Sequence, residues 1–310
     1  MNVLPSQKPQ SIAFLGFGEA ARAFQESLAT HDPALSFRAY DILLDEPGSA
    51  GEMRSAMHRR GVEVAENPAA LAKADWIISA VTADQSLAAV QRLAPYLRPA
   101  RLLIDVNSVS PGRKRAAAAL VEAQGAHYLD MAIMAPVHPR KHRTPVLIAG
   151  PAAERLVPAL DNLGFSHEVA GAETGAATAV KMARSLFVKG LEAITIEALL
   201  AAEASGCLES VTHSLARDFA GLGWPDFAAY EFERALRHGR RRAAEMRECA
   251  ATVRELGLHG RLAEEIAEVE ERMGRAQVPP PRAQALAEDL GAVLRARLAQ
   301  REPGNGGGSQ

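Results

Sequence analysis

Residues 11–41 read SIAFLGFGEAARAFQESLATHDPALSFRAYD. Ser11 to Gly18 is a short apolar run that ends in glycines, Glu19 to Thr30 has helical composition, and Ser36 to Asp41 is a second short strand ending on an acid. Strand, glycine turn, helix, strand and acid, in that order, make a dinucleotide-binding unit. In the pattern Gly16-x-Gly18-x-x-Ala21, Gly16 permits the tight turn, Gly18 lets backbone approach a pyrophosphate, and Ala21 lets the helix pack closely on the strand. Phosphates then rest on the free N–H groups at the helix start, so Gly16, Phe17, Gly18, Glu19 and Ala20 are expected to contact the cofactor. Asp41 follows at the expected distance and suits the hydroxyls of an adenosine ribose, while it would repel a 2′-phosphate. NAD is therefore the expected cofactor. NADP is the alternative, because Arg54, Arg59 and Arg60 follow and a basic residue folding back accommodates that phosphate.

The alternation of strands and helices continues. Strands are expected at Val62–Ala65, Trp76–Val81, Arg101–Val106, His127–Ile133, Val146–Gly150 and Ser166–Val169, with helices from Gln85 to Leu97, up to Gln124, and from Ala152 to Leu163. In such sheets the ligand lies beyond the carboxyl ends of the strands, which makes Thr82, Asn107 and Ser108 candidates to line the nicotinamide pocket. The loop MAPVHPRKHRTP, residues 134–145, carries His138 and His142 four apart, but its prolines preclude a helical ligand face and no cysteine or carboxylate joins them, so no metal site is expected. Beyond Gly206 the chain reads helical throughout: Leu208–Phe219, Asp226–Arg237, Ala243–Leu256, Leu262–Met273 and Arg282–Ala299. The expected organisation is an α/β Rossmann-type domain at 1–170, an all-helical domain at 171–300 and a glycine-rich disordered tail at 301–310, joined by a long interdomain helix.

Composition narrows the function. The chain has 310 residues, 48% of them hydrophobic, and a formal net charge of -2, which gives no reason to expect nucleic acid. Cys207 and Cys249 are its two cysteines, too few for a disulfide framework, so a reducing compartment is expected. The N-terminal residues lack the apolar segment of a signal peptide, and no uncharged apolar run approaches the roughly 18 residues of a membrane span. A soluble, cytoplasmic protein is expected.

The stretch from Gly171 to Gly206 reads as one helix of about thirty residues, more than twice the usual length. It is apolar around almost its whole circumference, yet Lys181, Ser185, Lys189 and Glu192 follow at spacings of four, four and three, on one face. Buried polar groups need partners. Hydride transfer to or from an alcohol carbon requires proton transfer at the same oxygen, and a lysine serves if burial and neighbouring positive charge bring its pKa toward the working pH. Arg184 and Lys189 are candidate like charges, and Ser185, one turn on, is placed to bond the same oxygen.

On these residues the chain resembles the β-hydroxyacid dehydrogenases, the family of 3-hydroxyisobutyrate and 6-phosphogluconate dehydrogenases, over most of its length. Gly16 to Ala21 is similar to the family's nucleotide loop, and Asp105 to Pro111 to the segment after its fifth strand. Gly175 through Ser185 matches its G-x-x-x-x-x-K-x-x-x-N catalytic helix, with Lys181 in the catalytic lysine's place and Ser185 where asparagine is usual. Asp130 to Pro136 stands where the substrate motif D-x-P-V-S-G-G is found, so that Met-Ala-Pro replaces the Ser-Gly-Gly that cups a substrate carboxylate. The resemblance implies an NAD(P)-dependent dehydrogenase acting on a β-hydroxyacid-like, anionic small molecule, with Lys181 and Ser185 catalytic and Ser108, Met134, Lys189 and Arg240 at the substrate. It also implies a homodimer, in which a second subunit covers what one chain leaves exposed of the long helix. His238-Gly239-Arg240-Arg241-Arg242 is read as a junction between helices whose guanidinium groups converge on an anion, or as a solvated turn paired with Glu233 and Glu245. The rival functions are an imine reductase of related fold and a nucleotide-sensing module without turnover.

Overall fold

The computed structural model describes residues 8–300; the expected tail lies outside the described residues. The chain forms two compact units that part between Ala183 and Arg184.

The first unit is an eight-stranded sheet in the order β3-β2-β1-β4-β5-β6-β7-β8. The strands are β1 (Ser11–Leu15), β2 (Ser36–Tyr40), β3 (Glu63–Val64), β4 (Trp76–Ser79), β5 (Leu102–Asp105), β6 (His127–Ile133), β7 (Val146–Ala149) and β8 (His167–Gly171). β6 and β7 pair antiparallel, and every other neighbouring pair is parallel. Every residue of β4 and β5 is buried, as expected of parallel strands covered on both faces, which is why they read as continuous apolar runs. Helices α1 (Glu19–His31), α2 (Ala50–His58), α3 (Ser86–Leu93), α4 (Pro111–Glu122) and α5 (Ala153–Asn162) connect the strands. α1 buries Ala21, Phe24 and Leu28 on one stripe and ends before Asp32-Pro33, where the proline disfavours a helical residue ahead of it. The core around Phe14, Phe17, Phe24, Trp76 and Tyr128 is fully covered, each large apolar side chain contributing about 1.5–3 kcal/mol.

α6 (Ala176–Ala204) is the single long helix the sequence implies. Its first turns belong to the sheet unit, which therefore extends past the Gly171 boundary read from the sequence: Ala177 packs with Ala132 and Ala149, and Thr178 bonds Asp130.

The second unit contains the rest of α6 with α7 (Leu208–Asp218), α8 (Asp226–Glu255), α9 (Arg261–Arg275) and α10 (Leu286–Ala299). Ile196 and Leu199, Phe232 and Leu236, Met273, and Leu290 and Val293 form its apolar core. α8 runs without interruption through His238-Gly239-Arg240-Arg241-Arg242, where the sequence suggests a break between two helices. Gly239 is there for packing. A Cβ on it would lie 2.7 Å from the backbone nitrogen of Gly274 on α9, so the glycine pair lets the two helix backbones touch. Among the described residues no helix is long and apolar enough to cross a membrane.

Candidate active site

β1 lies between β2 and β4, the point at which connections leave the sheet in opposite directions and ligands of doubly wound folds bind. Gly16 leaves β1 at φ +88, and a Cβ there would sit 2.5 Å from the carbonyl oxygen of Ala80 beyond β4, so only glycine fits. Gly18 caps α1 with no side chain on the helix's free N–H groups, and a Cβ at Gly18 would meet nothing within 4 Å. This open backbone at a positive helix end is what a pyrophosphate requires. Glu19 is exposed and Ala20 half-buried at the helix start. The Phe17 ring is buried, and its N–H donates to Asp41 Oδ2 at 2.7 Å, tying the nucleotide loop to the end of β2.

Asp41, at the end of β2, also accepts from the N–H of Leu43 through Oδ1 at 3.0 Å. Each carboxylate oxygen is thus oriented by one backbone donor and keeps a lone pair for a ribose hydroxyl. Two of the three basic residues that argue for NADP are otherwise engaged. Arg54 grips Glu66 with both terminal nitrogens, at 2.5 and 2.6 Å, and Arg60 donates to the carbonyl of Ala56 at 3.1 Å.

At the ends of β4 and β5 the candidates have different fates. Thr82 is exposed beyond β4, and its hydroxyl helps hold the Asp84 carboxyl below its ordinary pKa. Asn107 is a brace: its Oδ1 accepts from the N–H of Val81 at 2.7 Å, its Nδ2 donates to Ser79 Oγ at 3.0 Å, and the residue is buried. Its amide thus ties two strand ends together at the position the sequence assigns to the nicotinamide pocket. Ser108 meets Lys181, whose Nζ donates to Ser108 Oγ at 2.5 Å. A half-buried lysine on α6 is thereby fixed against the loop leaving β5.

Residues 12–175 match the NAD-binding domain of 6-phosphogluconate dehydrogenase. The chain belongs to the β-hydroxyacid dehydrogenase family. Residues 202–273 match a domain of unknown function, DUF1932. A conserved hypothetical protein from Sinorhizobium meliloti 1021 is 33% identical, with 93% of this chain and 96% of that one covered at a TM-score of 0.74. A conserved protein of unknown function, described as structurally similar to 3-hydroxyacid dehydrogenases, is 26% identical over 85% of this chain and 97% of its own, at a TM-score of 0.65. The Mycobacterium tuberculosis 3-hydroxyisobutyrate dehydrogenase, solved with L-serine, shares the fold at 21% identity and a TM-score of 0.67, covering 92% of this chain and 98% of its own. The sheet unit is thus an NAD-binding domain of the kind this family carries, followed by a helical region, as the sequence implies.

Lys114, Tyr128 and Thr178, which brace the ends of β5 and β6, were not singled out from the sequence. Lys114 of α4 is wholly buried and donates to the Asp105 carbonyl at 2.6 Å and to Asp105 Oδ1 at 2.9 Å, with Asp130 Oδ1 at 3.4 Å. Tyr128 donates to Asp105 Oδ2 at 2.7 Å; burial first, and then the Asp105 charge, push its phenol well above its ordinary pKa. Asp130 in turn accepts from the N–H and the hydroxyl of Thr178, at 3.1 and 2.7 Å. Met134 packs with Ala132, Ala149 and Ala177 in a small apolar cluster. His142 of the basic loop is a core histidine, its ring nitrogens 2.7 Å from Ser27 Oγ and 3.0 Å from the Leu163 carbonyl, and burial lowers its pKa to about 4.

Within the helical unit Ser185, Lys189 and Glu192 are all buried on α6. Lys189 pairs with Glu245 at 2.9 Å. Arg242 pairs with Glu192 and, at 3.3 Å, with Glu270, inside the core. The three arginines therefore do not converge on an anion at a helix junction: Arg242 is neutralised internally, Arg241 reaches Glu245 at 3.9 Å, and Arg240 is exposed on the surface of α8. The helical period sends neighbours 240, 241 and 242 in different directions.

Proposed function

We propose that this chain interconverts a β-hydroxyacid-like alcohol and its ketone with NAD, using Lys181 as the general acid and base. The observation that carries the proposal is the bond from Lys181 Nζ to Ser108 Oγ, beyond the carboxyl end of β5 in an NAD-binding domain. The amide donors at the start of α1 would hold the pyrophosphate, Asp41 the adenosine ribose, and Thr82 the nicotinamide side of the cleft. When bound there, NAD would supply the hydride acceptor for the carbinol carbon. The neutral amine of Lys181 takes the hydroxyl proton as the C–O bond becomes a carbonyl, and the resulting ammonium returns it in the reverse direction. Ser108 holds the amine in place, and its hydroxyl is close enough to bond the same substrate oxygen. Lys189 is assigned a supporting role, because Glu245 already neutralises it.

The assembly proposed is a homodimer. Phe187 and Ile194 on α6 and Leu262 on α9 are 73%, 65% and 64% exposed, a large apolar surface for one subunit to leave in water. The substrate proposed is not one of the smallest hydroxyacids of the family, since Met134-Ala135-Pro136 lacks the hydroxyl, and at Pro136 the N–H, of the Ser-Gly-Gly it replaces. Turnover of a panel of 3-hydroxyacids and cyclic imines with NAD and NADP tests the reaction. Oxidation of a hydroxyacid supports it, and reduction of imines alone would make the chain an imine reductase instead.

A further inference from the structure

We infer that Lys114, Asp130 and Thr178 are positioning residues for Lys181, closing a buried ring that fixes both partners of the Lys181–Ser108 bond; the inference rests on the assignment of Lys181 as the proton-transfer group. The ring can be followed bond by bond. Ser108 sits three residues after Asp105, whose carbonyl and Oδ1 both receive Lys114 Nζ, whose Oδ1 also receives the N–H of Asn107 at 2.9 Å, and whose Oδ2 receives Tyr128. Three donor groups, making four bonds, thus hold the turn from which the Ser108 hydroxyl projects. On the other side, Asp130 receives the N–H and the hydroxyl of Thr178 in the first turn of α6, where backbone donors have no partner within the helix. Thr178 lies three residues before Lys181, on the same helix face. The carboxylate of Asp130 therefore sets the rotation of α6 at the point where Lys181 leaves it. Lys114 Nζ, 3.4 Å from Asp130 Oδ1, joins the two halves.

A ring of this kind is an expensive way to hold a sheet together. Lys114 and Asp130 are 0% exposed and Asp105 is 1% exposed, and apolar side chains of similar volume stabilise a core at least as well as buried ion pairs do. What buried ionic groups supply is a single arrangement, because each partner has one place where its bonds are met. Here that arrangement ends on one side at Asp105 and Asn107, just before Ser108, and on the other at Thr178, three residues before Lys181. The bonds named above run among Asp105, Lys114, Asp130, Thr178, Ser108 and Lys181, so the ring's effect should fall on proton transfer.

Thr178→Val removes one bond of the ring and keeps the volume and the helix N–H, and Thr178→Ser restores the hydroxyl. Steady-state kinetics on the full chain should show kcat lowered about 10-fold in Thr178→Val, on the scale of a small misplacement of a catalytic group. The KM for NAD should be unchanged and kcat should return to near wild type in Thr178→Ser. Asp130→Asn, which weakens both bonds, should lose about 100-fold. Wild-type kcat in Thr178→Val would overturn the inference, as would equal losses in kcat and cofactor affinity in the valine and serine variants alike, the mark of general loosening. Lys181→Ala separates this from the parent reading: turnover retained there sinks the proton-transfer assignment, whereas turnover lost there but kept in Thr178→Val sinks only the positioning role.

Discussion

Replacing Glu270 by glutamine should make the helical unit more stable at alkaline pH and change little at acid pH. Glu270 is 0% exposed, its Oε2 has no hydrogen-bond partner, and Glu192 and Arg242 lie against its other oxygen. Burial is the largest influence on it, followed by the hydrogen bond with Glu192; against the pull of Arg242 they raise its pKa from 4.5 to about 8. Glu231, buried beside the same Glu192, is likewise raised to about 8, first by burial and then by the Glu192 charge. A carboxyl whose folded pKa is raised binds its proton more tightly in the folded chain. Its contribution to stability is complete below about pH 4.5 and is lost as pH rises through about 8. Each such proton makes stability fall by about 1.4 kcal/mol per pH unit inside that window, so between pH 6.5 and 8 Glu270 alone should cost about 2 kcal/mol. Glutamine, uncharged and of the same shape, does not titrate. The assay is urea unfolding of wild type and Glu270→Gln from pH 5.5 to 9, followed by far-UV circular dichroism. The difference between the two cancels other groups, including His142, whose lowered pKa weakens the fold only below its ordinary value near 6.5. The variant's advantage should grow through the window and level off above about pH 8. A pH-independent difference would refute the reasoning, and so would wild type gaining stability relative to the variant as pH rises.

Two further outcomes are expected. Asp41→Ala should narrow the preference for NAD over NADP, measured as the ratio of kcat/KM values, because it removes the carboxylate that repels a 2′-phosphate while Arg54 stays occupied by Glu66; wild-type efficiency with NADP equal to that with NAD would contradict this. Sedimentation at micromolar concentration should show a dimer for wild type and a monomer for Phe187→Glu with Ile194→Glu, since a charge on each exposed apolar position opposes its burial at an interface; a monomeric wild type would refute the dimer.

The nucleotide-binding half could be read from the chain because its signals are local. Gly16, Gly18, Ala21 and Asp41 lie within one strand–helix–strand unit, and each is required by backbone geometry or charge that the unit itself defines. Strand β6 was legible to the residue, His127–Ile133, as a run bounded by turn chemistry. What could not be read depended on partners distant in sequence. Gly239 breaks a helix by local propensity, yet it is tolerated because Gly274 of α9 comes up against it. Lys114, in the run PGRKRAAAAL, looks like any solvated helix residue, and its burial follows only once the sheet brings Asp105 and Asp130 beneath α4. Asn107 stands at a strand end where ligand-binding residues are found, and its bonds to Ser79 and Val81 could be seen only once the fold brought those strand ends together. The polar face of α6 was visible by period alone, while the identities of its partners, Glu245 for Lys189 and Arg242 for Glu192, required the fold.

The most direct test of the account is the turnover of Lys181→Ala, measured with the best substrate of the hydroxyacid panel at saturating NAD and paired with a fluorescence titration of cofactor binding. Lys181 bonds Ser108 and is not itself among the residues assigned to the cofactor. The account predicts NAD affinity within about twofold of wild type and kcat reduced about 10²- to 10⁴-fold, the range for loss of a general acid or base. Turnover near the wild-type rate with intact binding would contradict it and leave Lys181 a residue that only holds α6 against β5.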